Sequence, residues 1–436
     1  MSDPRVLSAK GRPRRRSTAV RWHVVAAVFA LSFITLIDRV CISSAKSGIA
    51  SDLGITDVQF GWVFGAFALG YAILMVPAGW WADRFGPRVF LTALVCSWSL
   101  LTASTGFATA LVLLLAIRFL FGLAEAGTFP TTSRALYNWM PASERGLALG
   151  LMNSGSRLGA AVGLAIASYL ILWVGWRACF WMLGGVGLVW TVCWYGWYRD
   201  DPAQKHGVSS EELAFIRKVE MTDEIAPRSD AHWVAVVCSF PGVLLLFQYF
   251  ANNFSLFLVY SWILPYLQQH FRVVSGRAGV YSGIPLYCGV IATWVGGVIV
   301  DSLFRREYRG WSRAFPAVAG FLLASAGEAL AGTALNPGMF ILWFSIVVFG
   351  LDLTVSSSWT ICSDLGGEHT GAVSGAMNMM GAAGSFACSL TFPYILRWSR
   401  AEAFFWLAAL LNVAAVFCWF VLGSRVGKRW KLRPDP

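Results

Sequence analysis

Five ionisable residues stand inside stretches that are otherwise apolar: Asp38 and Arg39 in one, Arg118 and Glu125 in a second, Arg157 in a third. Charged groups at bilayer depth are costly and mark ligand or ion pathways. Arg118 and Glu125 are seven positions apart and so share one face of a helix. Arg157 shares a face with Asn153, four positions earlier. Arginine suits a carboxylate, because its planar fork donates two parallel charge-assisted hydrogen bonds and keeps its charge at any working pH. The two acids add what arginine lacks, a proton that comes and goes. Burial favours a neutral carboxyl and a neighbouring arginine favours an ionised one. Protonating an acid about 6 Å from a bound carboxylate removes a repulsion of about 2 to 3 kcal/mol at an effective dielectric near 20. Three arginines against two acids leave a formal +1 in this set, which favours an anion. A structural salt-bridge network is the alternative, and it leaves one arginine with no acid.

Later candidates are polar and aromatic, fitted to shape a substrate rather than neutralise it. Gln248 and Asn252 share a face, Asp352, Ser356 and Trp359 follow at i, i+4 and i+7, and Ser374 precedes Asn378 by one turn. Packing is the alternative for each. Glu328 and Asp352 have no partner legible in the sequence.

The elements that must hold these residues follow from composition. Of 436 residues 57% are hydrophobic and 13% charged, with a mean hydropathy of +0.61, so the solvent is a bilayer. A spanning helix takes about 20 apolar residues. Such stretches run over 22–45, 58–81, 89–107, 109–139, 147–173, 178–198, 238–267, 279–300, 314–334, 339–362, 371–396 and 403–423, predicting an all-α membrane protein of twelve transmembrane helices. The net charge of +11 does not imply nucleic acid, because Lys and Arg gather on one side. With a cytoplasmic N-terminus only Lys46, Arg177, Arg272, Arg277, Arg397 and Arg400 fall outside, which places both termini in the cytoplasm of a cell with an inner membrane. Nine scattered cysteines with no CxxC pair give neither a disulfide framework nor a metal site, and no cofactor is expected beyond a proton as coupling ion. The segments are a basic tail (1–21), a six-helix bundle (22–198), a linker (199–237), a second bundle (238–423) and a basic tail (424–436). The tail before Trp22 lacks a cleavage site and is read as leading into a retained first helix.

The two bundles repeat each other. Gly61, Gly65, Gly79, Asp83 and Arg88 recur 218 positions later as Gly279, Gly283, Gly297, Asp301 and Arg306. Gly146, Gly150, Met152, Asn153 and Gly159 recur 225 positions later as Gly371, Gly375, Met377, Asn378 and Gly384. Two nearly equal offsets argue for a duplicated six-helix unit, a plan in which the ligand binds between halves near the midplane.

After the second helix, Gly79, Asp83, Arg84, Gly86 and Arg88 spell GxxxDRxGxR. This pattern resembles the loop of the major facilitator superfamily and predicts a conformational latch, with Asp83 against a helix N-terminus and Arg84 and Arg88 pairing with acids across the halves. Ile37-Asp38-Arg39 with Phe67, Tyr71 and Pro77, and Arg118 to Ala126 followed by Phe129-Pro130 and Glu144-Arg145, resemble the anion:cation symporter family. The likeness extends through Asn153 to Gly159 and through Gly371 to Asn378. It implies a major facilitator fold of two pseudo-symmetric bundles and proton-coupled symport of an organic anion, in a monomer that is not an enzyme. It assigns proton coupling to Asp38 and Glu125, and substrate contact to Tyr71, Ser356, Trp359 and Asn378 beside Arg39, Arg118, Arg157, Gln248 and Asn252. Two departures, Cys41 after the Asp-Arg pair and Gly381-Ala382-Ala383-Gly384, remove amides near the cavity and point away from a heavily hydroxylated sugar acid. The rival readings are an organophosphate antiporter, disfavoured by the absence of Lys and Arg from Pro241 to Gln268, a polytopic membrane enzyme and a transport-inactive sensor.

Overall fold

A computed structural model describes residues 19–217, 233–305, 311–366, 370–398 and 400–431, which are helical with no strand. The first half comprises α1 (Val20–Leu53), α2 (Asp57–Phe85), α3 (Pro87–Thr105), α4 (Leu111–Glu125), α5 (Thr128–Trp139) and α6 (Ala142–Trp197). Two short helices, α7 (Ser210–Arg217) and α8 (Trp233–Val237), lie in the connecting segment. The second half comprises α9 (Phe240–Ser261), α10 (Ile263–Gln269), α11 (Ser275–Arg305), α12 (Trp311–Ala331), α13 (Pro337–Leu353), α14 (Val355–Gly366), α15 (Thr370–Trp398) and α16 (Ala401–Lys431).

Among the described residues eleven helical segments are long and apolar enough to cross a bilayer, one of them the 54 residues Glu144–Trp197. At 1.5 Å per residue that segment would run about 80 Å, far beyond a hydrocarbon core of about 30 Å. It does not, because Gly175 breaks it with φ 78° and ψ 166°. Two passes therefore share α6, which makes twelve among the described residues. An even number returns the chain to its starting side, so α1 begins and α16 ends at one end of the bundle, here termed proximal. Large apolar side chains such as Val112, Trp173, Val192 and Phe417 stand exposed on the perimeter, as lipid contact requires.

Local sequence sets the helix starts. Thr56 and Gln59 form a reciprocal capping box before α2, and Asn336 caps α13 with Pro337 in its first turn. Three passes are discontinuous within the membrane: α4 yields to α5 after Glu125, α9 to α10 at Trp262, and α13 to α14 at Thr354. Interrupted helices are tolerated at that depth only where protein or a cavity supplies partners for the backbone.

Glycine governs how closely the helices approach. A side chain at Gly122 would run into the Phe67 carbonyl, and one at Gly70 into the Phe119 carbonyl, so α2 and α4 meet backbone to backbone. The repeat is visible in the packing: Gly159 rests on Phe33 of α1 and Gly384 on Phe250 of α9. The halves meet along two related seams. In one, Gly61 and Gly65 of α2 press on Ser389 and Phe386 of α15; in the other, Gly279 and Gly283 of α11 press on Leu164 and Ala161 of α6. Both seams lie towards the distal end. There Ser43 donates to the Ser261 carbonyl at 2.6 Å, Ser47 donates to Gln268 at 3.0 Å, and buried Lys46 pairs with Asp57 beneath the Trp262 ring. Towards the proximal end, nothing lies within 4 Å of where side chains at Gly146, Gly150 and Gly371 would begin. Gly146 and Gly150 share the α6 face that carries Arg157, so the space between the halves opens proximally.

Helix α7 of the connecting segment is anchored to the first half. Glu212 of α7 accepts from the Val20 and Arg21 amides at the start of α1 and pairs with the Arg21 guanidinium, which also holds Glu144 at 2.9 Å. Gly122→Ala should lower stability by about 1 to 3 kcal/mol, the usual cost of overpacking, read as a fall in unfolding temperature in detergent.

Candidate functional site

Asp38 and Arg39, adjacent midway along α1, face different neighbours. Asp38 is 1% exposed, beside the Trp98 indole of α3 and within electrostatic reach of Glu125 and Arg118 of α4. Arg39 pairs with Glu125 at 3.2 Å and lies over the rings of Phe67 and Tyr71, 5.0 and 4.9 Å from their centroids. Arg118, 2% exposed, sits over Phe67 and Phe121 at 5.3 and 4.6 Å. Among the described residues it has no carboxylate within ion-pairing distance, and aromatic faces shield its charge instead. The α4 break places Glu125 at the helix end, where its carboxylate reaches α1. Asp38, Arg39, Tyr71, Arg118 and Glu125 thus form one cluster.

Arg157, on α6, is turned the other way. Its guanidinium donates to the Tyr260 hydroxyl of α9 and pairs with Asp352 of α13, both in the second half. Asp352, which the sequence left without a partner, is this arginine's partner. The formal +1 expected from five residues of one half is accordingly corrected: three arginines face three carboxylates, and with every acid ionised the set sums to zero. Tyr249 donates to Asn378 at 3.4 Å, while the Asn378 amide donates to the Ser374 carbonyl one turn back. Ser356 is half-buried on α14, one turn before Trp359, which is 43% exposed.

Two predicted contacts are turned into the second half. Gln248 is fully buried and accepts from Ser358 at 3.2 Å and from the Trp419 indole at 3.3 Å. Asn252 donates to the Leu351 carbonyl at 3.0 Å and to Thr354 at 3.1 Å, stitching the break between α13 and α14. Glu328 is likewise internal, accepting from Asn412 at 2.7 Å, which also donates to Ser255 at 3.0 Å.

At the proximal loop, Gly79 and the Asp83 side chain lie outside the described residues. Arg84 is exposed, and Gly86, with φ 76°, joins α2 to α3. Among the described residues Arg88 pairs with no acid across the halves: its guanidinium donates to the Tyr195 carbonyl of α6 in its own half. The acid at a helix N-terminus here is Asp200, which accepts from the Arg88 amide at 2.9 Å. Burial pushes the Asp200 carboxyl above the ordinary carboxylate range, against the favourable Arg88 amide and charge.

Sequence reasoning missed Tyr260 and Trp98. Tyr249 and Tyr260 are eleven positions apart, three helical turns, and that spacing was the available signal for a shared cavity face.

Comparison with known proteins adds to this geometry. The family model described as Major Facilitator Superfamily matches residues 28–389. A probable sulfoacetate transporter of Cupriavidus necator is 31% identical over 407 residues, covering 92% of this chain and 93% of that one. A D-galactonate transporter of Escherichia coli is 29% identical, covering 95% and 98%. A probable galactarate/D-glucarate transporter of Bacillus subtilis is 28% identical, covering 88% and 87%. In three dimensions the chain resembles a bacterial homologue of the human lysosomal transporter Spinster, in an inward-facing, unoccupied conformation. The TM-score is 0.73 at 18% identity, over 96% of this chain and 100% of that one.

Gln248→Leu and Asn252→Ala should each cost about 1 to 3 kcal/mol of stability by leaving buried partners unpaired, without weakening ligand binding. Unfolding temperature and ligand affinity measured on the same preparations separate the two effects.

Proposed function

The chain belongs to the Major Facilitator Superfamily, and from that premise we propose that it carries an organic anion across the inner membrane by alternating access, with protons moving in the same direction. The observation that carries this reading is the balance of buried charge. Arg39, Arg118 and Arg157 against Asp38, Glu125 and Asp352 make a neutral set when the acids are ionised. Each proton taken up adds one positive charge, so the space becomes attractive to an anion in step with protonation. Asp38 and Glu125 are the proton sites of this reading: Asp38 has no hydrogen-bond partner of ordinary geometry, and Glu125 alternates between Arg39 and a proton. The relatives named for sulfoacetate, galactonate and galactarate or glucarate support an organic acid as cargo.

Lys and Arg asymmetry supports cytoplasmic termini, which makes the proximal opening face the cytoplasm. Voltage opposes entry of an anion into a negative interior by about 2.3 kcal/mol per charge per 100 mV. Two protons carried with the substrate offset that, making a monoanion's entry electrogenic and a dianion's electroneutral. Arg39 with Tyr71 supplies the first contact for a carboxylate, and Ser356, Trp359 and Asn378 shape the opposite wall.

Purified protein in liposomes with an alkaline interior should accumulate an organic acid such as galactonate or sulfoacetate with no other driving force. Asp38→Asn and Glu125→Gln should abolish accumulation while retaining exchange of labelled for unlabelled substrate. Undiminished accumulation by both variants would remove the proton assignment, and failure of the unaltered protein to take up any organic acid would remove the transport reading.

A further inference from the structure

Arg39 and Arg157 are each held by a carboxylate, but in different ways. Glu125 holds Arg39 from within the same half. Asp352 holds Arg157 from the opposite half, and the two residues are 195 positions apart. Asp352 is 0% exposed, and its Oδ2 accepts no hydrogen bond, being pressed against α11 where Gly289 has no side chain. It therefore engages Arg157 with one oxygen, whereas the Arg157 side chain keeps 19% of its surface open. An arriving anion meets a guanidinium that is partly open, with one terminal nitrogen on Tyr260 and the other on Asp352. Tyr260 of α9 bonds Arg157, and α6 packs on α1 with Gly163 against Ile37, so Arg157 and Arg39 lie on adjoining helices.

We propose that the cargo is a two-headed anion, one head held at Arg39 and the other taking Arg157 from Asp352. This rests on the organic-anion reading above and narrows it. Asp352 is then a resident competitor, standing in for the second anionic group while the space is empty. Because it belongs to the second half and Arg157 to the first, the exchange also releases a tie between halves as cargo binds. A single-headed acid satisfies Arg39 and leaves that tie in place.

The test is binding calorimetry on purified full-length protein with matched acids: galactarate against galactonate, succinate against butyrate, and sulfoacetate against acetate. The two-headed member of at least one pair should bind about tenfold more tightly. Asp352→Asn should tighten that acid by about a further tenfold, as expected when the competent arginine is otherwise free about one time in ten, and so widen its lead over the single-headed partner, which gains only the general attraction of one negative charge removed. Arg157→Gln should erase the preference. Since that change strands Asp352, the double variant Arg157→Gln with Asp352→Asn is the comparison that preserves charge balance, and it too should show no preference. A double variant that recovers the original preference would reduce the pair to a structural tie and overturn the proposal. So would equal binding within all three pairs, which leaves the organic-anion reading intact. Absence of binding by all six acids would remove both.

Discussion

A charge taken out of water must be answered by another charge or by dipoles already in place. The desolvation penalty is several kcal/mol per ion even after relaxation. Six buried or half-buried groups at the centre of this molecule obey that constraint, and much of the architecture follows from it. Helix α4 stops at Glu125, bringing the carboxylate to Arg39. Helix α13 stops just beyond Asp352, and Asn252 makes good the backbone left open at that break. Phe67 and Phe121 supply negative ring faces to Arg118, which has no paired carboxylate among the described residues, and Phe67 and Tyr71 add theirs to Arg39 beside Glu125. The glycine contact between α2 and α4 brings Phe67 close enough to serve Arg39 and Arg118 together.

The two halves repeat each other in packing and differ in charge. Equivalent glycines form equivalent contacts, Gly159 on Phe33 and Gly384 on Phe250, and the two seams between halves repeat the same use of small residues. The ionisable residues of the central cluster do not repeat. Arg39, Arg118 and Arg157 all come from the first half, and the second contributes Asp352 with tyrosines and amides. The repeat holds where helices meet, and the surfaces they enclose differ.

The parts legible in the sequence were those that depend on one helix at a time. Hydropathy located twelve passes, including the division of the long α6 segment, and spacing put Arg118 and Glu125 on one face. What was not legible depends on which face meets which neighbour. Gln248 and Asn252 share a face as expected, but that face turns towards Ser358, Trp419 and Thr354 of their own half. Glu328 looked isolated because its donor, Asn412, is 84 positions away. The pairing of Arg157 with Asp352 joins residues from different halves, and periodicity within a helix carries no information about such a meeting. Arg88 was misread for a related reason: a loop arginine can find a carbonyl in its own half as readily as an acid in the other.

Asp352 and Glu125 have a consequence for what the molecule does while idle. Chloride and other small inorganic anions are abundant, and a vestibule with uncompensated arginines would draw them in and keep them. Here Arg39 and Arg157 are already answered by carboxylates of the chain itself, and Arg118 is screened by rings. A halide has neither the reach nor the geometry to displace a tethered carboxylate. On the proposed reading the resting cluster therefore offers such ions no bare arginine, and selectivity against them would begin before any cargo arrives.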